Sequence, residues 1–468
     1  MSSASTPAPD GPAASPAVVA PPRTASRARV LAWALWDWGT QPWNTVVTTF
    51  VFSVYLVGPS FGSANHTAYV QSVCMTVASV AIALIAPVLG QNTDRTGRTM
   101  STLRVLTWAV ALINAALFLI ADEPAYLWAG FIMLGLGTVA SEVAGSVYNG
   151  VIDRVSTPQN VGRVSGLGWG MGYLGGIVAL LIIYLGFIAP DVGLFGVTTE
   201  HGMAVRTAML LCAVWTLVFT IPTFLALRDD PAPRGERLGV IGSYRALLAT
   251  VARLWRQDRH IVWFLLASAL FRDGLTGIFT YGGVLARNTF GFSAGQVVVF
   301  GAAANIIAGV ATICSGRLDD RVGPRAVIVG SLVMLVTLAT AVFVLHARGS
   351  GVFWVLGLAL CVFVGPAQAA SRSYLARIIP PGSSGEIFGL YATTGRVASP
   401  LAPLMFGLCV GLGARLTGAE NTQYFGIIGI AVVLAAGLLV LLALVPRVAA
   451  GAGLISRPGP VPGAAPRT

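Results

Sequence analysis

The sequence predicts an all-α membrane protein with twelve transmembrane helices arranged in two six-helix bundles. Of its 468 residues, 55% are apolar and 10% are charged, whereas a soluble globular chain carries about 25% charged residues. Nearly uncharged runs of about 20 residues, the length that crosses the hydrocarbon core of a bilayer, recur from end to end. Two sequence motifs each occur twice, which indicates a duplicated chain.

The first repeated motif is G-x-x-x-D-R-x-G, which occupies residues 90–97 and returns 226 positions later at 316–323. The second lies downstream of each copy, where residues 162–167 (GRVSGL) match residues 385–390 (GEIFGL), 223 positions apart. Because two unrelated motifs recur at nearly the same offset, we predict two related halves, each with one acidic-basic turn.

The apolar runs between the chain ends predict the twelve spans. Residues 1–29 and 447–468 are rich in Ala and Pro, and we expect disordered cytoplasmic tails rather than a signal peptide or further spans. The first bundle is predicted at 30–227, a cytoplasmic linker at 228–259 and the second bundle at 260–446. The predicted spans are 31–57, 67–90, 100–120, 125–149, 163–188, 204–227, 260–286, 294–316, 324–346, 351–376, 385–412 and 422–446.

The arginine positions predict the orientation. The chain contains no Lys, and most of its arginines fall in the tails and loops that share a side with the N-terminus. Basic loops are retained on the cytoplasmic side of a membrane. We therefore expect both termini in the cytoplasm and the protein in the cell membrane.

The linker contains an amphipathic pattern. Its apolar side chains share one predicted helical face: Tyr244, Leu247, Leu248, Val251, Leu254 and Trp255. Such a pattern is typical of a helix that lies on the inner leaflet with its arginines toward acidic headgroups. A plain linker between bundles is the alternative.

Six plus six spans, a long central loop and the turn at 90–98 resemble the major facilitator superfamily. Four further stretches resemble the Unknown Major Facilitator family, whose fungal relatives are autophagy-related vacuolar amino-acid effluxers. One departure is Gly39-Thr40-Gln41-Pro42 after the first-span Asp-Trp, where Pro42 predicts a kink. The stretches are 33–39 (WALWDWG) with 51–55 (VFSVY); 162–176 (GRVSGLGWGMGYLGG); 271–274 (FRDG) with 316–321 (GRLDDR); and 368–373 (QAASRS) with 388–391 (FGLY).

The resemblance implies that the turn after span 2 meets the start of span 11 and that its repeat meets the start of span 5. A carboxylate is stabilised at a helix N-terminus. We therefore predict that Asp94 caps the helix beginning near Gly385 and that Asp320 caps the helix beginning near Gly162, which would hold the cytoplasmic side shut. The turn glycines are Gly90, Gly97, Gly316 and Gly323.

The arginines of these turns have two interpretations. They could strengthen the two capped turns by pairing with Glu386 or with headgroup phosphates. Alternatively, they could serve only to keep these loops on the cytoplasmic side of the membrane. The residues concerned are Arg95, Arg98 and Arg321.

Ionisable residues inside spans are costly and usually mark a pathway or a buried pair. For a zwitterionic substrate, Asp37 and Asp273 are candidates for the amine end, and the Arg372 fork is the candidate carboxylate clamp. Static ion pairs between helices, such as Asp37 with Arg372, are the alternative. The complete set is Asp37, Glu142, Arg272, Asp273, Arg372 and Arg396.

Two further roles complete the site hypothesis. Glu142 is the candidate for proton coupling, because a desolvated carboxylate titrates at a higher pH. Three first-span tryptophans provide either an apolar wall with cation–π contacts or helix packing: Trp36, Trp38 and Trp43.

These patterns favour a transporter over an enzyme. No Walker motif, no metal-ligand spacing and no cofactor motif occur in the chain, and the glycines of span 5 suit close helix packing. We predict a secondary active transporter or facilitator of a small polar solute, with amino-acid efflux as the first candidate. A drug or sugar transporter, or a non-transporting sensor, is the alternative. The expected partners are the solute, protons and membrane lipids, without nucleic acid, and the expected state is a monomer.

Overall fold

The computed structural model describes residues 25–229, 235, 238–380, 382–419 and 421–446. Most of the two predicted tails, and part of the predicted linker, therefore lie outside the described residues. Within the described residues, regular structure is helical apart from one isolated bridge between Val192 and Thr198. Eleven helical segments there are long and apolar enough to cross a membrane.

The long helices are numbered here in chain order. They are α1 (Arg27–Pro42), α2 (Ala64–Thr96), α3 (Thr99–Ala116), α4 (Leu127–Gly150), α5 (Val161–Ile183), α6 (Met203–Ala226), α7 (Val240–Gln257), α8 (Arg259–Asn288), α9 (Ala294–Val322), α10 (Pro324–Val344), α11 (Ser350–Ile378), α12 (Ser384–Ala398), α13 (Leu401–Thr417) and α14 (Gly426–Leu444).

The first predicted span is not one continuous α-helix. Helix α1 ends at Pro42, a π-helical segment follows over Trp43–Phe50, and a short helix occupies Phe52–Leu56. The hydroxyl groups of Thr48 and Thr49 both donate to the Asn44 carbonyl oxygen, at 2.9 and 2.6 Å. The irregularity expected after Pro42 therefore takes the form of this π-helical segment.

The eleventh predicted span is interrupted. Helix α12 ends at Ala398, and α13 begins at Leu401 after Ser399 and Pro400. Pro400 has no N–H to continue the helical hydrogen bonds. The predicted span at 385–412 lies within one segment, Ser384–Thr417, that is long and apolar enough to cross a membrane, and the helix is broken inside that segment.

Helices before and after α7 form two sets that pack internally and also against each other. In the first set α1 packs on α5 and α6, and α2 packs on α4. In the second set α8 packs on α14, and α10 packs on α11. The two sets meet mainly where α5 lies against α9 and where α2 lies against α12.

Glycines permit the close approach of α5 and α9. A Cβ on Gly166 would lie 2.7 Å from the Thr312 carbonyl oxygen, and one on Gly316 would lie 2.7 Å from the Gly162 carbonyl oxygen. A real side chain would force these helices apart. The packing role predicted for the glycines of span 5 is thus confirmed along α9.

Helix α7 lies in the predicted linker and packs on the last turns of α2. Asn92 Nδ2 donates to Ser243 Oγ at 3.1 Å, and the Tyr244 hydroxyl donates to the Leu84 carbonyl oxygen at 2.9 Å. Leu247 and Leu254 are buried. The six apolar residues predicted on a single face are therefore divided between a buried face and a face that carries the exposed Leu248 and Trp255.

Candidate functional site

Both repeated turns and α7 lie at one end of the molecule, which we call the turn end. There, Asp94 accepts hydrogen bonds from the first-turn N–H groups of α12: Gly385 N at 3.0 Å and Glu386 N at 2.9 Å. A Cβ on Gly90 would overlap the Gly385 carbonyl oxygen. This is the contact expected of an Asp94 cap, and glycine makes it sterically possible.

The turn at 90–97 has a second polar contact with α12. Gln91 Nε2 donates to Glu386 Oε1 at 2.9 Å, and both side chains are buried. Among the described residues, the hydrogen-bond partner of the Glu386 side chain is thus Gln91 rather than a turn arginine. The pairing of the turn arginines with headgroup phosphates stays a prediction. Gly97 has a φ of 68° and ends α2 in the left-handed region, where glycine is favoured.

The second turn makes the equivalent contact with α5. Asp320 accepts hydrogen bonds from Gly162 N at 2.8 Å and Arg163 N at 3.1 Å. The Arg163 side chain also donates from Nε to Asp320 Oδ2 at 2.8 Å. One carboxylate therefore caps the helix and pairs with a guanidinium.

A buried ion pair lies beside Asp320. Arg377 NH1 contacts Asp319 Oδ1 at 2.5 Å, and Arg377 NH2 contacts Asp320 Oδ1 at 3.2 Å. The Ser373 hydroxyl also hydrogen-bonds Asp319. Asp319 and Arg377 were not among the predicted site residues, although the adjacent acidic pair at 319–320 was a visible signal.

Farther from the turns, Arg372 joins the two helix sets. Its side chain is buried, Nε donates to Ser165 Oγ at 2.9 Å, and NH1 donates to Asn149 Oδ1 at 3.0 Å. NH1 also lies 3.5 Å from Asp37 Oδ2. In this conformation Arg372 and Asp37 form an interhelical ion pair, which was the alternative to a substrate clamp.

Aromatic side chains enclose this pair. The Tyr148 hydroxyl donates to Asp37 Oδ2 at 3.0 Å, and its ring stacks on Trp33 and Trp36. The Arg372 guanidinium lies 5.0 Å from the Trp33 ring. These partners come from several helices, so a one-dimensional pattern gave no signal for them.

The predicted first-span tryptophans serve helix packing. Trp36 Nε1 donates to Thr107 Oγ1 at 3.0 Å, and Trp38 stacks on Trp215 at 6.0 Å. Trp43 is fully buried and fills the space above Gly137. Of the two interpretations, packing describes these contacts.

A polar cavity of about 330 Å³ collects the other intramembrane charges. Such a volume lies at the lower end of the range for small-molecule sites. Carboxylates and guanidinium groups share its wall with aromatic and amide side chains. The polar lining is Glu142, Trp169, Arg272, Asp273, Thr276, Thr280, Tyr281, Gln368, Arg396 and Ser399.

The charged groups of the cavity are individually restrained. Arg396 NH2 lies 2.6 Å from Glu142 Oε1 and so links α12 to α4. Arg272 lies over the Tyr391 ring at 3.8 Å and donates to its carbonyl oxygen at 3.1 Å. Two carboxylates and two guanidinium groups together carry no net formal charge.

Asp273 has a second function at the cavity wall. Its Oδ2 accepts a hydrogen bond from Ala402 N at 2.6 Å, at the beginning of α13. The break in the eleventh span thus exposes backbone N–H groups, and Asp273 satisfies one of them. Trp169 Nε1, in contrast, is buried in this wall and has no hydrogen-bond partner among the described residues.

A larger cavity of about 650 Å³ lies between the helix sets on the side away from the turns. It shares Thr280 with the polar cavity, and the π-helical residues Thr48 and Thr49 line it. Its other walls are largely apolar, with four phenylalanines among them: Phe50, Phe279, Phe300 and Phe353. A solute could therefore contact charged groups at one end and apolar groups at the other.

The predicted intramembrane charges are thus separated into two groups. Asp37 and Arg372 form a buried pair, whereas four others share the polar cavity: Glu142, Arg272, Asp273 and Arg396. The zwitterion hypothesis had assigned Arg372 and Asp37 to a site with Asp273. In this conformation Arg396 and Arg272, not Arg372, are the guanidinium groups beside Asp273.

Comparison with known proteins identifies similar sequences. The model of a family described as "Vacuole effluxer Atg22 like" matches residues 153–446. The uncharacterized MFS-type transporter YxiO of Bacillus subtilis is 27% identical over 85% of this chain and 91% of its own length. Autophagy-related protein 22 of Yarrowia lipolytica is 27% identical over 59% of this chain, which spans only 51% of that protein.

The fold also matches solved transporter structures. The proton:xylose symporter XylE superposes with a TM-score of 0.69 over 91% of this chain and 97% of its own, at 15% identity. At that level of identity the likeness shows the fold alone. The fold is that of the major facilitator superfamily.

Proposed function

This chain belongs to the Atg22-like vacuole effluxer family, and from that membership we propose that it moves a small polar solute across the cell membrane by alternating access. The family match and the likeness to YxiO support a transporter of the major facilitator type. Twelve spans, with α1 and its π-helical continuation as the first, and cytoplasmic termini complete the proposal. The turn end then faces the cytoplasm.

The observation that carries the substrate class is the balance of charge in the polar cavity. Two carboxylates and two guanidinium groups line it. A solute with one positive and one negative group could pair its positive group with a carboxylate and its negative group with a guanidinium. A solute with net charge would leave one buried protein charge uncompensated. A zwitterionic amino acid fits this requirement, and its efflux is the first candidate activity.

The proposal assigns the two ends of the substrate. Asp273 would accept the ammonium group, and Arg396 would bind the carboxylate through its planar fork. Arg396 would then release Glu142, whose freed carboxylate could take up a proton. Glu142 accordingly remains the candidate for proton coupling, now with a partner whose release would change its environment.

Thermal unfolding of the purified protein with neutral amino acids, sugars and cationic drugs tests this function. A ligand that binds only the folded state raises the free energy of unfolding by RT ln(1 + [L]/Kd), about 2.7 kcal/mol at 100 Kd. We expect a shift with neutral amino acids that disappears in Asp273→Asn and Arg396→Gln. Arg348→Gln, an exposed change outside the cavity, is the matched control and should keep the shift.

Two results would contradict the proposal. A shift with sugars or drugs only would exclude the amino-acid substrate and retain the transporter. A shift with amino acids that persists in both cavity variants would place the substrate elsewhere in the molecule.

A further inference from the structure

Helix α7 presents apolar side chains on two different faces. Leu247 and Leu254 are buried against the protein, whereas Ile241, Leu248 and Trp255 are 73%, 68% and 52% exposed. Because two helical turns take about 7.2 residues, positions 241, 248 and 255 form one line along the helix. Docking on the protein explains the first face. On the second face Trp255 has a ring contact with Trp263 of α8 at 5.5 Å, and Ile241 and Leu248 are the most exposed of its apolar side chains.

Two arginines lie beside this exposed line of apolar residues, both on one side of it. Arg245 and Arg256 are separated by 11 residues, about three helical turns, so both lie on the same side of α7. Both are exposed and belong to the helix. Arg253 lies farther around the helix, and its NH2 group donates to Thr250 Oγ1 at 3.4 Å.

On its other flank, α7 borders an apolar cleft of about 570 Å³. The far wall of the cleft is formed by Leu84, Ile85, Val88 and Leu89 of α2, a helix long and apolar enough to span the membrane. Tyr244 closes the cleft by hydrogen-bonding the Leu84 carbonyl oxygen. An apolar chain in this cleft would thus lie alongside α2.

We propose that α7 and this cleft bind phospholipids with anionic headgroups from the leaflet at the turn end. The acyl chains contact the exposed line and the cleft, and Arg245 and Arg256, about 16 Å apart along the helix axis, each bind a headgroup phosphate. Arginines near an anionic membrane surface are attracted to it, whereas a zwitterionic headgroup offers no net charge. The proposal goes beyond transport and does not depend on it.

The bound lipid would act on the turn at 90–97. Asn92 Nδ2 donates to Ser243 Oγ, and Asn92 Oδ1 accepts a hydrogen bond from Leu238 N at 3.0 Å. Asn92 follows Gln91 and precedes Asp94 by two positions, and both neighbours contact α12. A lipid that holds α7 in place therefore also stabilises the contact of the turn at 90–97 with α12, which joins the helix sets.

Quenching of Trp255 tests the site in the full chain. The protein is reconstituted in phosphatidylcholine vesicles that contain phosphatidylglycerol with brominated acyl chains, or brominated phosphatidylcholine instead. The Trp255 signal is the difference between the native protein and Trp255→Phe. We expect stronger quenching by brominated phosphatidylglycerol, and a preference that falls by roughly fivefold for each arginine replaced in Arg245→Gln and Arg256→Gln. Arg253→Gln, the charge-matched control on the same helix, should keep the preference.

Each contrary outcome overturns a stated part of the proposal. Equal quenching by the two lipids would exclude headgroup selection. Quenching that is the same in the native protein and in Trp255→Phe would show that α7 does not contact acyl chains. Loss of the preference in Arg253→Gln to the same degree would reduce the site to general positive charge. Size-exclusion profiles establish that each variant is folded.

Discussion

The turn at 90–97 and the turn at 316–323 use one motif to hold the same end of the molecule, and they differ in the charges around it. In both, an aspartate accepts two backbone N–H groups at the start of a helix from the other set. At the repeat offset of 226, Thr93 occupies the position of Asp319. At the offset of 223, Glu386 occupies the position of Arg163.

The consequence is an unequal pair of contacts. Asp320 is supported by Arg163 and Arg377, and Arg377 also pairs with the neighbouring Asp319. The polar support next to Asp94 includes the amide of Gln91. The shared glycines and aspartates therefore fix the geometry, and the surrounding side chains set its strength. We expect the contact of Asp94 with α12 to separate more readily than the contact of Asp320 with α5.

The largest effect is expected at Arg377. Arg377→Met leaves Asp319 buried without its guanidinium partner, and breaking such a pair costs about 3–5 kcal/mol. Thermal or denaturant unfolding in detergent measures this loss. Arg321→Met, an exposed change in the turn at 316–323, should remain within about 0.5 kcal/mol of the native protein. Equal losses in the two variants would show that the buried pair stabilises the Asp320 contact no more than an exposed arginine does.

A smaller effect is expected from alanine at the turn glycines. A Cβ on Gly90 overlaps the Gly385 carbonyl oxygen, and a Cβ on Gly316 lies 2.7 Å from the Gly162 carbonyl oxygen. We expect each alanine to cost about 1–3 kcal/mol by overpacking, with Gly90→Ala the more costly. Gly330→Ala is the control, because a Cβ there would meet no atom of the described residues within 4 Å outside its own helix backbone and chain neighbours. A neutral Gly90→Ala would mean that this contact is not tight.

Substitution of the two capping aspartates should show the difference in strength between the two turns most directly. Asp94→Asn and Asp320→Asn each weaken a charged cap, at a cost of about 1–2 kcal/mol. Amide hydrogen exchange at 385–386 and at 162–163 reports the two contacts within one protein. We expect exchange at 385–386 to rise about 5- to 30-fold in Asp94→Asn, and the rise at 162–163 in Asp320→Asn to be smaller, because Arg377 and Asp319 still join the helices. The reverse order would contradict the inequality.

The smallest effect is expected at Arg163, whose side chain is 59% exposed. An exposed ion pair contributes about 0–1 kcal/mol, so Arg163→Gln should lower stability by no more than that. The loss should shrink in 1 M salt, where exposed charges are screened within about 3 Å. A loss that is unchanged by salt would indicate that Arg163 stabilises α5 by packing.

The elements that could be predicted from the sequence are those that are duplicated or that form long apolar runs. The helices, the turns and the aspartate caps follow from apolar runs, a duplicated motif and a family resemblance. Arg377 was missed because its partner Asp319 is 58 positions away, and only the fold brings the two together. The break near Pro400 was present in the sequence as a helix-breaking residue within an otherwise apolar run.

The assignment of Asp37 and Arg372 could not be decided from sequence. A substrate clamp and an interhelical ion pair need the same residue types on facing helices. The distinction depends on whether the guanidinium donors are already occupied, as they are by Ser165 and Asn149. That information lies in the tertiary contacts of α11 with α4 and α5.

The π-helical segment over Trp43–Phe50 changes the directions in which the later side chains of the first span point. A π-helical turn accommodates an extra residue relative to an α-helical turn, and each residue added to an α-helix rotates the later part of the helix by about 100°. The side chains of Phe52–Leu56 therefore point in directions that a continuous helix from Arg27 would not give them. In an alignment, this segment should behave as a one-residue insertion. A homologue that lacks it would present a different set of side chains to the larger cavity without any substitution in the residues beyond.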